Sequence, residues 1–108
     1  NIEKALTFMH ANLTNSNLDN YKISWELGLS PNYLSHIFKV QLGISIHKYL
    51  NHIRIEKAKK LLHEGTKSCT EIAELTGFSS IHVFSKVFKK TVGITPSQFI
   101  ALNIGGYE

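Results

Sequence analysis

Six histidines, one cysteine and one aspartate are the side chains of this 108-residue chain best suited to metal binding or covalent chemistry. Their spacing suits neither. His47 and His52 stand five residues apart and His52 and His63 eleven, so no H-x-x-x-H pair shares a helix face, and a second cysteine is missing. No metal is therefore expected. A catalytic site needs a nucleophile with a base, or a glycine-rich loop around a phosphate. Asp19 is the sole aspartate, no such loop exists, and Cys69 stands at the start of a capped helix, a place that can lower a thiolate pKa. With no base beside it, Cys69 reads as a half-buried structural thiol. Neither a reaction nor a cofactor is expected.

Recognition chemistry remains. Leu34, Ile37 and Phe38 share one face of a helix, which leaves Asn32, Tyr33, Ser35, His36 and Lys39 pointing outward as donors, acceptors and a cation. The net charge of +4, from 12 Lys and Arg against 8 Asp and Glu, favours an acidic partner. The basic excess lies mainly after residue 50, there is no polybasic arm, and Arg54 is the only arginine. A purely electrostatic binder does not fit, so any nucleic-acid reading must rest on architecture.

The elements that must carry these side chains are helical. Ile2, Leu6, Met9 and Leu13 recur at helical spacing. Asp19 is placed to cap a second helix that Gly28 ends, and Ser30-Pro31 starts a third, with Ser as N-cap and Pro at the first helical position. From Ser45 to about His63 there is neither Gly nor Pro, which predicts one helix of about 28 Å at 1.5 Å per residue. Ser68 and Glu71 form a capping box, and Gly77 ends the helix that follows. Trp25, Phe38, Phe78, Phe84 and Phe88 are expected in the core. No alternating run supports a strand, and no apolar run is long enough to cross a membrane. With one cysteine and no signal pattern, a cytoplasmic setting without membrane contact is expected.

A repeat decides the architecture. Ile23, Gly28, Leu29 and Ser30 match Ile72, Gly77, Phe78 and Ser79 at an offset of 49. Leu34, Ser35, Ile37, Phe38, Lys39, Gly43, Ile44, Ser45 and Tyr49 match Phe84, Ser85, Val87, Phe88, Lys89, Gly93, Ile94, Thr95 and Phe99 at 50, so one residue is inserted in the second turn. A fixed offset means that one supersecondary unit is used twice. Helix, tight turn and a second helix with a polar outer face is a helix-turn-helix, whose second helix fits the major groove of B-DNA. The expected fold is all-α: two helix-turn-helix, homeodomain-like subdomains at 1–44 and 65–108, joined by a linker helix at 45–64. Such a linker can hold the pair near the ~34 Å separation of successive major grooves on one face of a duplex.

The run from Glu71 to Ser80, the segments Phe84 to Lys90 and Gly93 to Phe99, and Leu27 to Lys39 resemble the DNA-binding domain of the AraC/XylS family of bacterial transcription regulators, from about Ile2 to Ile100. The resemblance implies about seven helices in two lobes, groove-entering helices at about 31–40 and 81–90, and sequence-specific binding of double-stranded DNA. It carries base contacts onto Asn32, Ser35 and His36 in the first unit and onto Ile81, His82, Ser85 and Lys86 in the second. The family usually has Arg at the positions of His36 and Lys86. Arg forks onto guanine, whereas His36 offers at most one donor, Lys86 donates with looser geometry, and Ile81 suits a thymine methyl. The resemblance also implies a sensor or receiver domain elsewhere in the full protein. RNA polymerase is a candidate partner, and the isolated domain is expected to be a monomer.

Phosphate contacts complete the expectation. Ser30 and Ser79, at helix starts, are capping residues and candidate phosphate ligands; Lys39, Lys89 and Lys90 lie one turn beyond the reading positions, where the groove rim presents phosphates. Arg54, in mid-linker, either binds a phosphate or braces the two lobes. The alternative function is a helical protein-interaction module without sequence-specific DNA binding.

Overall fold

Short polar side chains fix where the helices begin. Asp19 accepts a hydrogen bond from the Lys22 N–H and starts α2 (Asn20–Leu27), and Ser30 accepts from Tyr33 and starts α3 (Pro31–Leu42). Ser45 does the same for α4 (Ile46–Glu64), and Ser68 for α5 (Cys69–Leu75). The computed structural model describes residues 2–106, so that residue 1 and residues 107–108, the outer ends of the two expected lobes, lie outside the described residues. The remaining helices are α1 (Ile2–Asn12), α6 (Ile81–Val92) and α7 (Pro96–Gly106), and no strand occurs among the described residues. Each of these caps satisfies an amide that the first helical turn leaves free.

Two features depart from expectation. The cap of α6 is Ser80, which accepts from the Val83 N–H, and not Ser79, which is exposed one residue earlier. The residue inserted in the second turn moves the cap: at an offset of 50, Ser30 corresponds to Ser80. Trp25 is not in the core; its side chain is 81% exposed. In the repeat it corresponds to Glu74, which is also exposed, so both α2 and α5 present this position to solvent.

α4 organises the packing. Ile46, Leu50 and Ile53 in its first half join a core with Ala5, Met9, Leu13, Leu18, Ile23, Leu34 and Phe38. Ile55, Ala58 and Leu62 in its second half join another with Ile72, Ala73, Phe78, Phe84 and Phe88. At ~100° per residue the two apolar stripes lie roughly 150° apart around the helix. The cores therefore sit on nearly opposite sides of one rod. The molecule is correspondingly long, 48 × 23 × 20 Å, and its radius of gyration of 15.1 Å exceeds the ~13 Å of a compact chain of this size.

α3 packs mainly on α1, α2 and α4, and α6 on α4, α5 and α7, so α4 is the main neighbour that the two helices with polar outer faces have in common. In the second core, Phe78, Phe84, Phe88 and Phe99 form a chain of ring contacts with centroids 5.5, 5.7 and 5.5 Å apart. These rings press α6 against α5 and α7.

Phe88→Ala should cost about 3 to 5 kcal/mol, because it opens a cavity in the middle of that chain. Amide exchange should then show α5 to α7 losing protection while α1 to α3 keep theirs. The capping box gives a second expectation. The Ser68 N–H donates to Glu71 Oε1 at 3.0 Å, and this bond holds the Glu71 carboxyl below its ordinary range. A lowered carboxylate pKa adds stability that is present above the unfolded value and lost as pH falls through the folded one. Glu71→Gln should remove that acid-side dependence from a series of melts at falling pH.

Candidate nucleic-acid interface

The outward residues of α3 and α6 form two like surfaces. On α3, Asn32, Ser35, His36 and Lys39 are exposed, while Leu34 and Phe38 behind them are fully buried. On α6, His82, Lys86, Lys89 and Lys90 are exposed, with Phe84 and Phe88 behind them. Ile81 and Ser85 are half-buried, at the edge of the face rather than its centre. Neither helix carries a carboxylate. Their open faces thus combine donors and positive charge with no competing anion.

The two units begin alike and differ in detail. A turn at Gly28, in the left-handed region at φ 70°, brings α3 back across α2, and the Leu29 N–H donates to the Ser24 carbonyl. The Phe78 N–H donates to the Ala73 carbonyl in the same way before α6. Within the first unit, Asn20 Nδ2 donates to Ser35 Oγ at 2.8 Å. This orients the Ser35 hydroxyl and leaves its proton to donate outward. Asn20 is a supporting residue that the sequence reading missed, since it comes from α2, 15 positions away.

Sequence reasoning also missed the first half of α4. His47, Lys48, Asn51 and His52 face away from the first core and, with Val83, Lys86 and Lys90 of α6, line a groove of about 650 Å³. Three lysines and two imidazoles border it, and no Asp or Glu does. The signal for Lys48 was its position on the helix, across from the stripe of Ile46, Leu50 and Ile53.

Arg54 does not belong to the outward set. Only 7% of it is exposed, and two of its nitrogens are committed as donors: Nε to the Leu13 carbonyl at 2.9 Å and Nη2 to the Asn15 carbonyl at 2.8 Å. Burial pushes its pKa down from the ordinary arginine value. A side chain so enclosed offers little surface to a phosphate. Of the two roles expected for it, bracing is the one the geometry supports. Ser30 and Ser80 use their oxygens as caps, which leaves each hydroxyl proton free to donate to an anion at the helix start.

No three His, Cys, Asp or Glu side chains converge on one point among the described residues. No helix among those residues is long and apolar enough to cross a membrane. Cys69 is half-buried and free.

Comparison with known proteins agrees with this architecture. A family described as helix-turn-helix domain matches residues 23–101. The arabinose operon regulatory protein of Escherichia coli K12 is 36% identical over 100 residues, which make up 93% of this chain and 34% of that protein. The chain thus spans about a third of the length of the curated relatives it matches first. Among solved structures, the C-terminal domain of AraT, a response regulator from Geobacillus stearothermophilus, superposes with a TM-score of 0.92 at 36% identity, covering 94% of this chain and 84% of that one. The C-terminal domain of the two-component response regulator yesN from Fusobacterium nucleatum gives 0.88 at 37% identity, covering 92% and 96%.

Proposed function

The chain belongs to the AraC-type family of helix-turn-helix domains, and from that membership we propose that it binds double-stranded DNA sequence-specifically, with α3 and α6 in successive major grooves, to regulate transcription. The observation that carries this reading is the repeated turn and outward helix on both sides of one shared rod. A body 48 Å long can reach across the ~34 Å between grooves on one face of a duplex.

In this reading Asn32, Ser35 and His36 meet base edges in one groove, and His82, Lys86, Ser85 and Ile81 in the next. Lys39, Lys89 and Lys90 neutralise phosphates at the groove rims, Ser30 approaches them at the start of α3, and Ser79 does so from one residue before the Ser80 cap of α6. Lys48, across the groove from Lys86 and Lys90, adds a phosphate contact from the shared helix. The lobes are 1–44 and 65–108, with 45–64 between them. Because the units follow one another in a single chain, the target is an asymmetric pair of subsites. The isolated domain acts as a monomer in the cytoplasm, without a cofactor or a reaction of its own. Its full-length context supplies a sensor or receiver domain, and RNA polymerase is the machine it positions.

A second reading, a helical module that binds a protein instead of DNA, draws on one observation. Trp25 is 81% and Tyr21 71% exposed, and with Phe8 and Leu18 they border an open apolar hollow on α1 and α2. Exposed aromatic patches of this kind are common docking surfaces.

A salt titration separates the two. Duplex affinity should fall steeply with salt, and the best sequence should exceed random duplex by about 10³ or more. Equal affinity for every duplex at every salt would leave only the protein-binding module. The side chains divide further by their effects. Lys86→Ala and His36→Ala should alter base preference at one position each, at about 1 to 3 kcal/mol per good contact. Lys39→Ala should weaken all sequences alike and flatten the salt slope by about 1.

A further inference from the structure

Three segments of the chain meet at one point between the lobes. Arg54 stands on α4 between the two apolar stripes, where the rod changes the side on which it is covered. From there its guanidinium reaches the Leu13 and Asn15 carbonyls, in the loop that leads from α1 into α2. The same group lies 5.9 Å from the centroid of Phe78, in the turn between α5 and α6. No carboxylate pairs with it among the described residues. Its charge is met by carbonyl dipoles of the first lobe and the ring face of the second.

Gly77 reports the same closeness independently. It sits in the left-handed region at φ 83°, and a Cβ there would stand 2.0 Å from the Leu13 carbonyl oxygen and 2.8 Å from Arg54 Nε. The corresponding Gly28 has open space around it. Gly28 therefore serves its own turn alone, whereas Gly77 also lets the second turn lie against the first lobe. Leu13 and Asn15 lead into the helix that supports α3, and Gly77 and Phe78 lead into α6. The contact thus joins the mounts of the two outward helices directly, without passing along the rod.

We infer that Arg54 is a positioning residue that sets the distance between subsites the chain accepts, an inference that rests on the two-groove reading. A tethered pair of readers gains affinity only when its geometry lets both engage at once. Bonded as observed, the lobes hold one separation, and DNA whose subsites are moved closer or further apart can satisfy one helix only. With Arg54 released, the shared helix still tethers the lobes while their relative angle is free to vary.

The test uses the best duplex selected from a random pool and derivatives with one or two base pairs inserted or deleted between its subsites. The wild-type chain should lose about tenfold or more in affinity on every derivative. Arg54→Met, which keeps the length and apolar stem of the side chain but no donor, should lose less than about threefold on the same derivatives. Arg54→Lys should fall between. A folded Arg54→Met with the wild-type spacing profile would overturn the inference and leave Arg54 a purely structural residue. Should Arg54→Met fail to fold, Arg54→Lys decides by the same series: a tolerance of altered spacing broader than the wild-type chain's supports the clamp, and the wild-type spacing profile overturns it. A wild-type chain that binds no duplex selectively would instead overturn the two-groove reading, whatever the variants show.

Discussion

The structure depends on a helix that changes sides. For its first half α4 is covered along Ile46, Leu50 and Ile53, and for its second along Ile55, Ala58 and Leu62. A single rod thus supplies a wall to two cores that cannot merge. Each core is small, and a chain of this size has little stability to spare, so each lobe owes part of its stability to the helix it shares. Between the two stripes the crossover leaves a buried position that belongs to neither apolar core, and Arg54 occupies it. Enclosed there, its cation needs partners, and it finds them in the backbone of the first lobe and an aromatic ring of the second.

The two outward faces built on this frame are unequal. α3 presents one lysine among amide, hydroxyl and imidazole groups, and its Ser35 is oriented by Asn20. α6 presents three lysines and faces a fourth, Lys48, across a groove without carboxylates. Hydrogen-bonding groups discriminate bases, and cations gather phosphates. Under the proposed DNA-binding reading, the first unit is thus the better equipped for selectivity and the second for affinity. This division follows from one repeat whose buried positions are held alike while its exposed ones differ.

Much of this was legible in the sequence, because the signals are local. A capping oxygen three residues before its amide, a proline at a first helical position and an apolar triplet each act within a turn or two of helix, and the offset of 49 to 50 exposed the repeated unit. The misses are of another kind. Ser80 replaced Ser79 as a cap because a one-residue insertion has to be placed before or after the serine, and only the helix geometry decides. Trp25 looked like core by residue type, although its counterpart Glu74 marked the position as exposed. The role of Arg54 and the nearness of Gly77 to Leu13 depend on segments about 40 and 64 positions apart, and spacing along a chain does not encode such meetings. The basic side of α4 was hidden for the same reason, since nothing local says that α6 lies beside it.

In the proposed reading, one rigid frame presents two readers to one side of a duplex. Selecting bound duplexes from a random pool and scoring base preference at every position tests it most directly. The expected profile has two blocks of preference whose centres lie about one helical turn, or 10 to 10.5 base pairs, apart, with an indifferent stretch between them. A single block, or two blocks at freely varying separations, would contradict it.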